Sequence, residues 1–256
     1  MQNAMFAAMI AVLAYMVVWF VISLAIRRND VADVAWGGGF IVAALASLAV
    51  SGRPTARAVL VTLLVVIWGL RLALHIGLRN RGKGEDARYR KWREDWGKYF
   101  VLRSFFQIYI LQGILLLLTA IPVIVTITAK GTPFGVWDVL GVLVWVTGFL
   151  FEAIGDYQLI RFKKDPANRG RIMQYGLWKY TRHPNYFGEV SLWWGIYLIA
   201  LSVQGGWMTI IGPVTITSLI LGVSGIPMLE KHYEGNKAFE AYKQRTSAFF
   251  PMPPKR

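Results

Sequence analysis

Polar residues divide the chain into seven long apolar runs, near 4–26, 35–51, 57–78, 105–128, 135–156, 185–203 and 206–227. Each approaches the roughly 20 residues that a helix needs to cross about 30 Å of hydrocarbon. The runs are continuous and lack the period-two alternation of a half-buried strand. In lipid, only helices and closed barrels pair all of their backbone groups, so continuous runs predict helices. The expected architecture is all-α: a polytopic membrane protein with seven transmembrane helices in a single domain over 1–256. The first run has neither a basic leader segment nor a small-residue cleavage site. It reads as a first membrane helix and not as a removed signal.

Composition strengthens this reading. Hydrophobic residues make up 55% of the chain and charged residues only 16%, where soluble domains carry about a quarter charged. The 11 Trp and 11 Tyr suit aromatic belts at two water interfaces. Cysteine is absent, which excludes disulfides, thiolate catalysis and Cys-bound metal.

The net charge of +14 raises the question of nucleic acid, and the placement of the charge argues against it. Of the 28 Lys and Arg, 24 fall in four segments on one side of the spans: Arg27–Arg28, 79–103, 157–184 and the tail after 228. The opposite side holds three, Arg53, Arg57 and Lys130, and Arg71 alone sits within a span. The bias toward one side predicts an amino terminus outside and a carboxyl terminus in the cytoplasm. Topology and anionic lipid account for such a bias. A cytoplasmic site for a polyanionic ligand accounts for it as well.

Ionisable groups within or at the ends of membrane helices are expensive and point to function. Asp33 and Trp36 stand at the start of the second span, in the stretch "DVAWGGGF". Arg71 and His75 lie four apart near the end of the third, and Glu152 and Asp156 four apart at the end of the fifth. Asn185 and Glu189 lie four apart at the start of the sixth, so each of these pairs shares a helix face. Ordinary uses exist for most of them. Asp156 has Arg161 and Lys163 within pairing range. Arg71 has the option of snorkelling. His183–Pro184 suits a helix start, and Asp33 suits an N-cap. Glu189, one turn into an apolar span, requires a proton or a partner. The triple glycine at 37–39 suits close helix packing.

The three histidines, at 75, 183 and 232, form no metal-ligand spacing, so no metal is expected. No P-loop, nucleophile elbow or Rossmann unit appears. A dinucleotide here would be held by helix ends and basic loops.

The stretch "YGLWKYTRHPNYFGEVSLWWG", with "GDYQLIRFKKDP" before it and "AFEAYKQRTSAFFP" after it, resembles the carboxyl-terminal half of the steroid 5α-reductase family, in its bacterial members. The resemblance covers about 150–256 and extends to "LRNRGKGED" at 78–86. It implies an enzyme that uses NADPH to reduce the C4–C5 double bond of a 3-oxo-Δ4-steroid or a similar lipophilic enone. It implies cofactor contacts at Asp156, Arg171, Asn185 and Glu189, basic residues Arg81 and Lys83 reaching phosphate, and His232 in a tail that closes over the cofactor. Lys163 joins the phosphate-binding cations. Trp36 and Trp193 are the expected substrate-pocket aromatics. Family members place a Glu and a Tyr at the ketone. Asp33 is the nearest candidate for the first, and Arg71 or His75 stands in for the second. On this reading 1–103 form the substrate side and 104–256 the NADPH half.

The expected reaction is hydride transfer to the enone β-carbon, with a hydrogen-bond donor stabilising the charge that develops on the ketone oxygen. The expected location is the bacterial inner membrane, with the cofactor site facing the cytoplasm. The expected partners are membrane lipid and the enone. The "RHPNY" core also resembles isoprenylcysteine carboxyl methyltransferases, which makes an S-adenosylmethionine-dependent membrane methyltransferase the alternative. A non-catalytic lipid-binding or assembly protein is a third reading.

Overall fold

The computed structural model describes residues 1–52 and 54–255. Arg53 and Arg256, both counted in the charge distribution above, lie outside the described residues. Among the described residues the regular structure is helical, with one isolated parallel bridge between Thr181 and Ser247. The helices are α1 (Gln2–Ile26), α2 (Val31–Val50), α3 (Ala56–Asn80), α4 (Ala87–Trp96), α5 (Phe100–Ser104), α6 (Leu111–Thr128), α7 (Val136–Lys164), α8 (Pro184–Ala200), α9 (Ile211–Ser218), α10 (Ile226–Lys231) and α11 (Lys237–Arg245). A π-helical turn, Phe105–Ile110, joins α5 to α6, and a second, Leu219–Val223, follows α9.

Among the described residues, six helical stretches are long and apolar enough to cross a membrane: Gln2–Ile26, Val31–Val50, Ala56–Asn80, Ala87–Thr128, Val136–Lys164 and Gly206–Lys231. The remaining expected span, 185–203, is helical as α8, but its 17 residues reach only about 26 Å. Large apolar side chains such as Phe6, Leu13, Val21, Leu63, Leu74 and Leu143 are exposed along these helices. Water penalises such surfaces and hydrocarbon does not.

The chain forms two compact units, Met1–Phe134 with Ala200–Gly212, and Gly135–Ile199 with Pro213–Arg256. In the first, α2 packs on α1, α3 and α6. The glycines of α2 permit this. A Cβ on Gly37 would lie 2.7 Å from the Gly69 carbonyl oxygen, and one on Gly69 would lie 2.6 Å from that of Gly37. The rings of Trp36, Phe40 and Trp68 meet edge to face around this crossing.

The turn from α1 to α2 is tight. Arg27 closes α1 in the left-handed conformation, φ 55°, and the Arg28 N–H returns to the Ser23 carbonyl. Charged groups brace the turn. Arg28 binds Asp30 at 2.7 Å and the Lys83 carbonyl at 2.8 Å, and the Asn29 N–H donates to Glu85 at 2.7 Å. Arg93 holds Glu85 at 2.9 Å. The 80–87 loop is therefore fastened to the α1–α2 turn.

In the second unit a glycine appears every seven residues on α7: Gly141, Gly148 and Gly155. They face Gly195, Gly188 and Pro184–Asn185 of α8. A Cβ on Gly148 would lie 2.5 Å from the Gly188 carbonyl oxygen, and one on Gly195 would lie 2.7 Å from that of Gly141. The two backbones touch along this seam, and the contact fixes the register of α7 on α8.

Candidate functional site at the start of α8

The seam ends where Gly155 meets the start of α8, and the next residue is Asp156. Its side chain is buried and accepts a hydrogen bond from Asn185 Nδ2 at 3.2 Å. A carboxylate has only acceptor oxygens, so it must face the Asn185 amide nitrogen. That orientation turns Asn185 Oδ1 the other way. Oδ1 is buried and has no hydrogen-bond partner among the described residues. Buried acceptors of this kind are rare in folded proteins, and each calls for an explanation. Glu189 and Trp193 follow Asn185 at one-turn intervals on α8. Glu189 is half-buried and Trp193 fully buried. Glu152, one turn before Asp156 on α7, is buried too. The result is a short polar strip over Glu152, Asp156, Asn185 and Glu189, closed by an indole.

The residues just before α8 have a different task. Arg182 and His183 both converge on Glu230 of α10, with the Arg182 Nη2 at 2.8 Å and the His183 Nε2 at 2.9 Å. Arg182 also donates to the carbonyls of Lys243 and Thr246. The Tyr242 hydroxyl donates to the Trp178 carbonyl. The Arg182 N–H donates to the Ser247 carbonyl at 2.9 Å and the Met252 N–H to the Tyr180 carbonyl at 2.9 Å. These bonds form a clasp that holds the carboxyl-terminal tail against the residues leading into α8. Burial lowers the His183 pKa, and Glu230 opposes that shift without overcoming it. Burial raises the Tyr242 pKa.

Lys163, in the last turn of α7, and Arg171, on the segment after it, are exposed, as is His232, whose ring lies edge-on to Tyr233 at 5.5 Å. The strip thus unites Asp156 with Asn185, while the expected cations stand at the surface. The clasp was not foreseen as a unit. The signal available was Glu230, an acid between apolar "IPML" and basic "KH".

The remaining expected residues belong to the first unit. Asp33 lies in the first turn of α2 and does not cap it, since that position falls to Asp30. The Asp33 carboxylate receives the Tyr89 hydroxyl at 2.6 Å and Arg88 at 2.9 Å. Asp86 shares Arg88 at 3.0 Å. Burial pushes the Asp86 carboxyl up, but the hydrogen bonds from Arg88 outweigh it and hold the group below the usual carboxylate range. Tyr89 was not anticipated, because from the sequence 79–103 reads as a basic loop, whereas the residue lies buried on α4. Arg71 is half-buried on α3. Trp36 packs edge-on against Phe40 at 5.2 Å. Arg81 and Lys83 are exposed.

The family described as "Protein of unknown function (DUF1295)" matches residues 19–246. The chain belongs to this family. An uncharacterised protein of Schizosaccharomyces pombe is 27% identical, over 76% of this chain and 63% of the relative. Human 3-oxo-5-alpha-steroid 4-dehydrogenase 1 is 36% identical over 66 residues, 26% of each chain. The enzyme of that name in Rattus norvegicus is 25% identical over 112 residues, 44% of this chain and 40% of the relative. The chain thus spans 63% of the length of the yeast relative and 26% of the human one. No solved structure matches it. This DUF1295 protein is distantly and partially similar to steroid 5α-reductases.

Proposed function

We propose that this DUF1295 protein is an NADPH-dependent reductase of a lipophilic enone, acting on the C4–C5 double bond of a 3-oxo-Δ4-steroid or a similar ring compound. The observation that carries the proposal is Asn185 Oδ1, a buried acceptor without a donor beside a buried carboxylate. A primary carboxamide or a ribose hydroxyl supplies the missing donor, and the reduced nicotinamide nucleotide has both. The partial similarity to 3-oxo-5-alpha-steroid 4-dehydrogenases supports a redox reaction on such a ring compound.

On this reading Asp156 orients the Asn185 amide, and Asn185 with Glu189 receives the carboxamide end. Lys163, Arg171 and His232, with Arg81 and Lys83, supply charge for the phosphates through charge-assisted bonds. NADPH when bound supplies the hydride. Trp193 keeps water from the inner end of the strip, which raises the strength of every polar contact there. Arg71 and Asp33, the latter in its protonated form, are the proposed donors to the ketone oxygen, and Trp36 an aromatic for the ring system. α8 counts as a seventh span, ending at Ala200, short of the expected 203. The Lys/Arg bias places the amino terminus outside and the cofactor residues on the cytoplasmic side of a bacterial cell membrane.

The test uses purified protein in detergent. NADPH fluorescence is followed before and after testosterone or progesterone is added, with S-adenosylmethionine binding measured in parallel. NADPH binding followed by its oxidation and a 5α-dihydro product supports the proposal. Binding of S-adenosylmethionine without NADPH overturns it in favour of methyl transfer.

A further inference from the structure

The polar strip occupies one side of α7. A different side carries a row of exposed apolar residues: Leu143, Val146, Leu150, Ile154 and Tyr157, with Tyr157 61% exposed. The spacing of three and four residues keeps them on one helical face. The next residue in the row is Arg161. At that point the face runs into a groove of about 680 Å³ beneath the segment that follows α7.

Tyr157, Arg161, Phe162, Asp165, Met173 and Tyr175 line the groove together with Gln158. The Gln158 wall is fixed in place. Gln158 Oε1 accepts the Leu177 N–H at 3.0 Å, and Gly176 sits against the Gln158 amide at φ 60°, where a Cβ would lie 2.5 Å from Nε2. Trp178 ties the same turn to α7 through the Gly155 carbonyl at 3.0 Å. Tyr175, 66% exposed, stands 6.4 Å from the Phe162 ring.

The charge around the groove is mainly positive. Between Tyr157 and Pro184 the sequence has seven Lys and Arg and one acid, Asp165. Asp165 is already occupied, because its carboxylate takes the Ala167 N–H at 2.9 Å and Asn168 Nδ2 at 3.3 Å. Both bonds engage its oxygens in the turn. A ligand entering the groove meets aromatic and apolar walls, the Arg161 guanidinium and a surround in which cations outnumber Asp165 seven to one. At its apolar end the groove continues as the exposed face of a membrane-spanning helix.

We propose that this groove binds an anionic phospholipid. The phosphate and glycerol lie at Arg161 between Tyr157 and Tyr175, and one acyl chain runs along Ile154, Leu150 and Leu143. A free phosphate would use Arg161 alone. An acyl chain uses the whole row, and the row is what distinguishes this face. Tyrosines at the level of the head group are the usual aromatic anchors of that interface. A zwitterionic head group would bring its own cation against the basic segment and bind less well. The proposal does not depend on the reductase reading.

The test is photo-labelling of the whole protein in phosphatidylcholine vesicles. One set contains phosphatidylglycerol with a diazirine on its acyl chain, the other a phosphatidylcholine probe with the same group. The labelled peptides are mapped by mass spectrometry. The expected result is preferential labelling over 143–176 by the phosphatidylglycerol probe. R161E should reduce that labelling about fivefold or more, at roughly one surface charge's worth of attraction lost per charge removed. Labelling of α1 and the melting temperature should be unchanged. R161Q serves as the milder variant should R161E fold poorly. Equal labelling by the two probes overturns the proposal, as does labelling that survives both variants. Displacement of the probe by NADPH overturns it as well, because the groove would then belong to the nucleotide.

Discussion

Asn185 Nδ2 lies 3.2 Å from Asp156 Oδ1, and the pairing decides which way the Asn185 carbonyl oxygen faces. Asp156→Asn removes that decision, because an amide offers both a donor and an acceptor. NADPH affinity should fall in Asp156→Asn and in Asn185→Ala by about 5- to 150-fold, the loss of one buried hydrogen bond at about 1–3 kcal/mol. Fluorescence titration of NADPH measures it. Glu189→Ala should show a loss of the same order. Unchanged affinity in all three would remove the strip from the cofactor site.

The α7–α8 seam leaves no room for a methyl group. Gly148→Ala and Gly188→Ala each place a carbon 2.5 Å from backbone of the facing helix. Backbone cannot rotate out of the way as a side chain can, so the helices must separate. The expected loss is about 1–3 kcal/mol or more, seen as a lower melting temperature in detergent. Gly77→Ala on α3 is the control, since nothing lies within 4 Å of its Cβ position. Its melting temperature should hold or rise slightly, because alanine loses less backbone freedom in a helix.

The spans were legible because hydropathy reads burial in lipid directly. The expected run 4–26 appears as Gln2–Ile26, and 57–78 as Ala56–Asn80. The run 135–156 extends to Lys164, since its last turns are polar helix that hydropathy does not register. α4 and α11 escaped for the same reason. Their signals are the caps, Asp86 accepting from the Arg88 N–H and Asn236 from those of Ala238 and Phe239. The Asp156–Asn185 contact was foreseeable only as co-location on one membrane face. Its register depends on Gly141, Gly148 and Gly155, whose seven-residue repeat is visible in the sequence but acquires meaning only against Gly188 and Gly195. The clasp joins residues 47 apart, a separation at which spacing along the chain carries no information.

The clasp makes stability depend on pH through His183. Burial holds the folded His183 pKa below the ordinary 6.5. Below that pH the unfolded chain binds a proton that the folded chain resists. The stabilisation is therefore complete above about pH 6.5 and is lost as pH falls toward the folded value. Glu230 and Arg182 face the ring with opposite charges, and burial outweighs the attraction of Glu230. Melting temperatures between pH 5 and 8 should decline on the acid side, and His183→Gln should flatten the decline. Glu230→Ala strands the Arg182 guanidinium, whose side chain is 8% exposed, and should cost on the order of 3 kcal/mol. A pH profile that is identical in His183→Gln would assign the acid sensitivity to another group.

On the proposed function, a substitution at Asp33 is expected to separate turnover from cofactor binding. Its carboxylate receives Tyr89 at 2.6 Å and Arg88 at 2.9 Å, and Asp86 holds Arg88 independently at 3.0 Å. Asp33→Ala therefore removes the carboxyl and still leaves Arg88 with a partner. The fold should survive, with a melting temperature near that of the parent. If Asp33 acts at the ketone oxygen, its loss removes a transition-state interaction without touching ground-state cofactor binding. Turnover of the enone should then fall on the order of a hundredfold, with NADPH affinity within a factor of about two of the parent value. Steady-state kinetics beside an NADPH titration distinguish the cases. A parallel loss of affinity and turnover would make the Asp33–Arg88–Tyr89 cluster a brace for the fold, and the donor to the ketone would then have to come from Arg71.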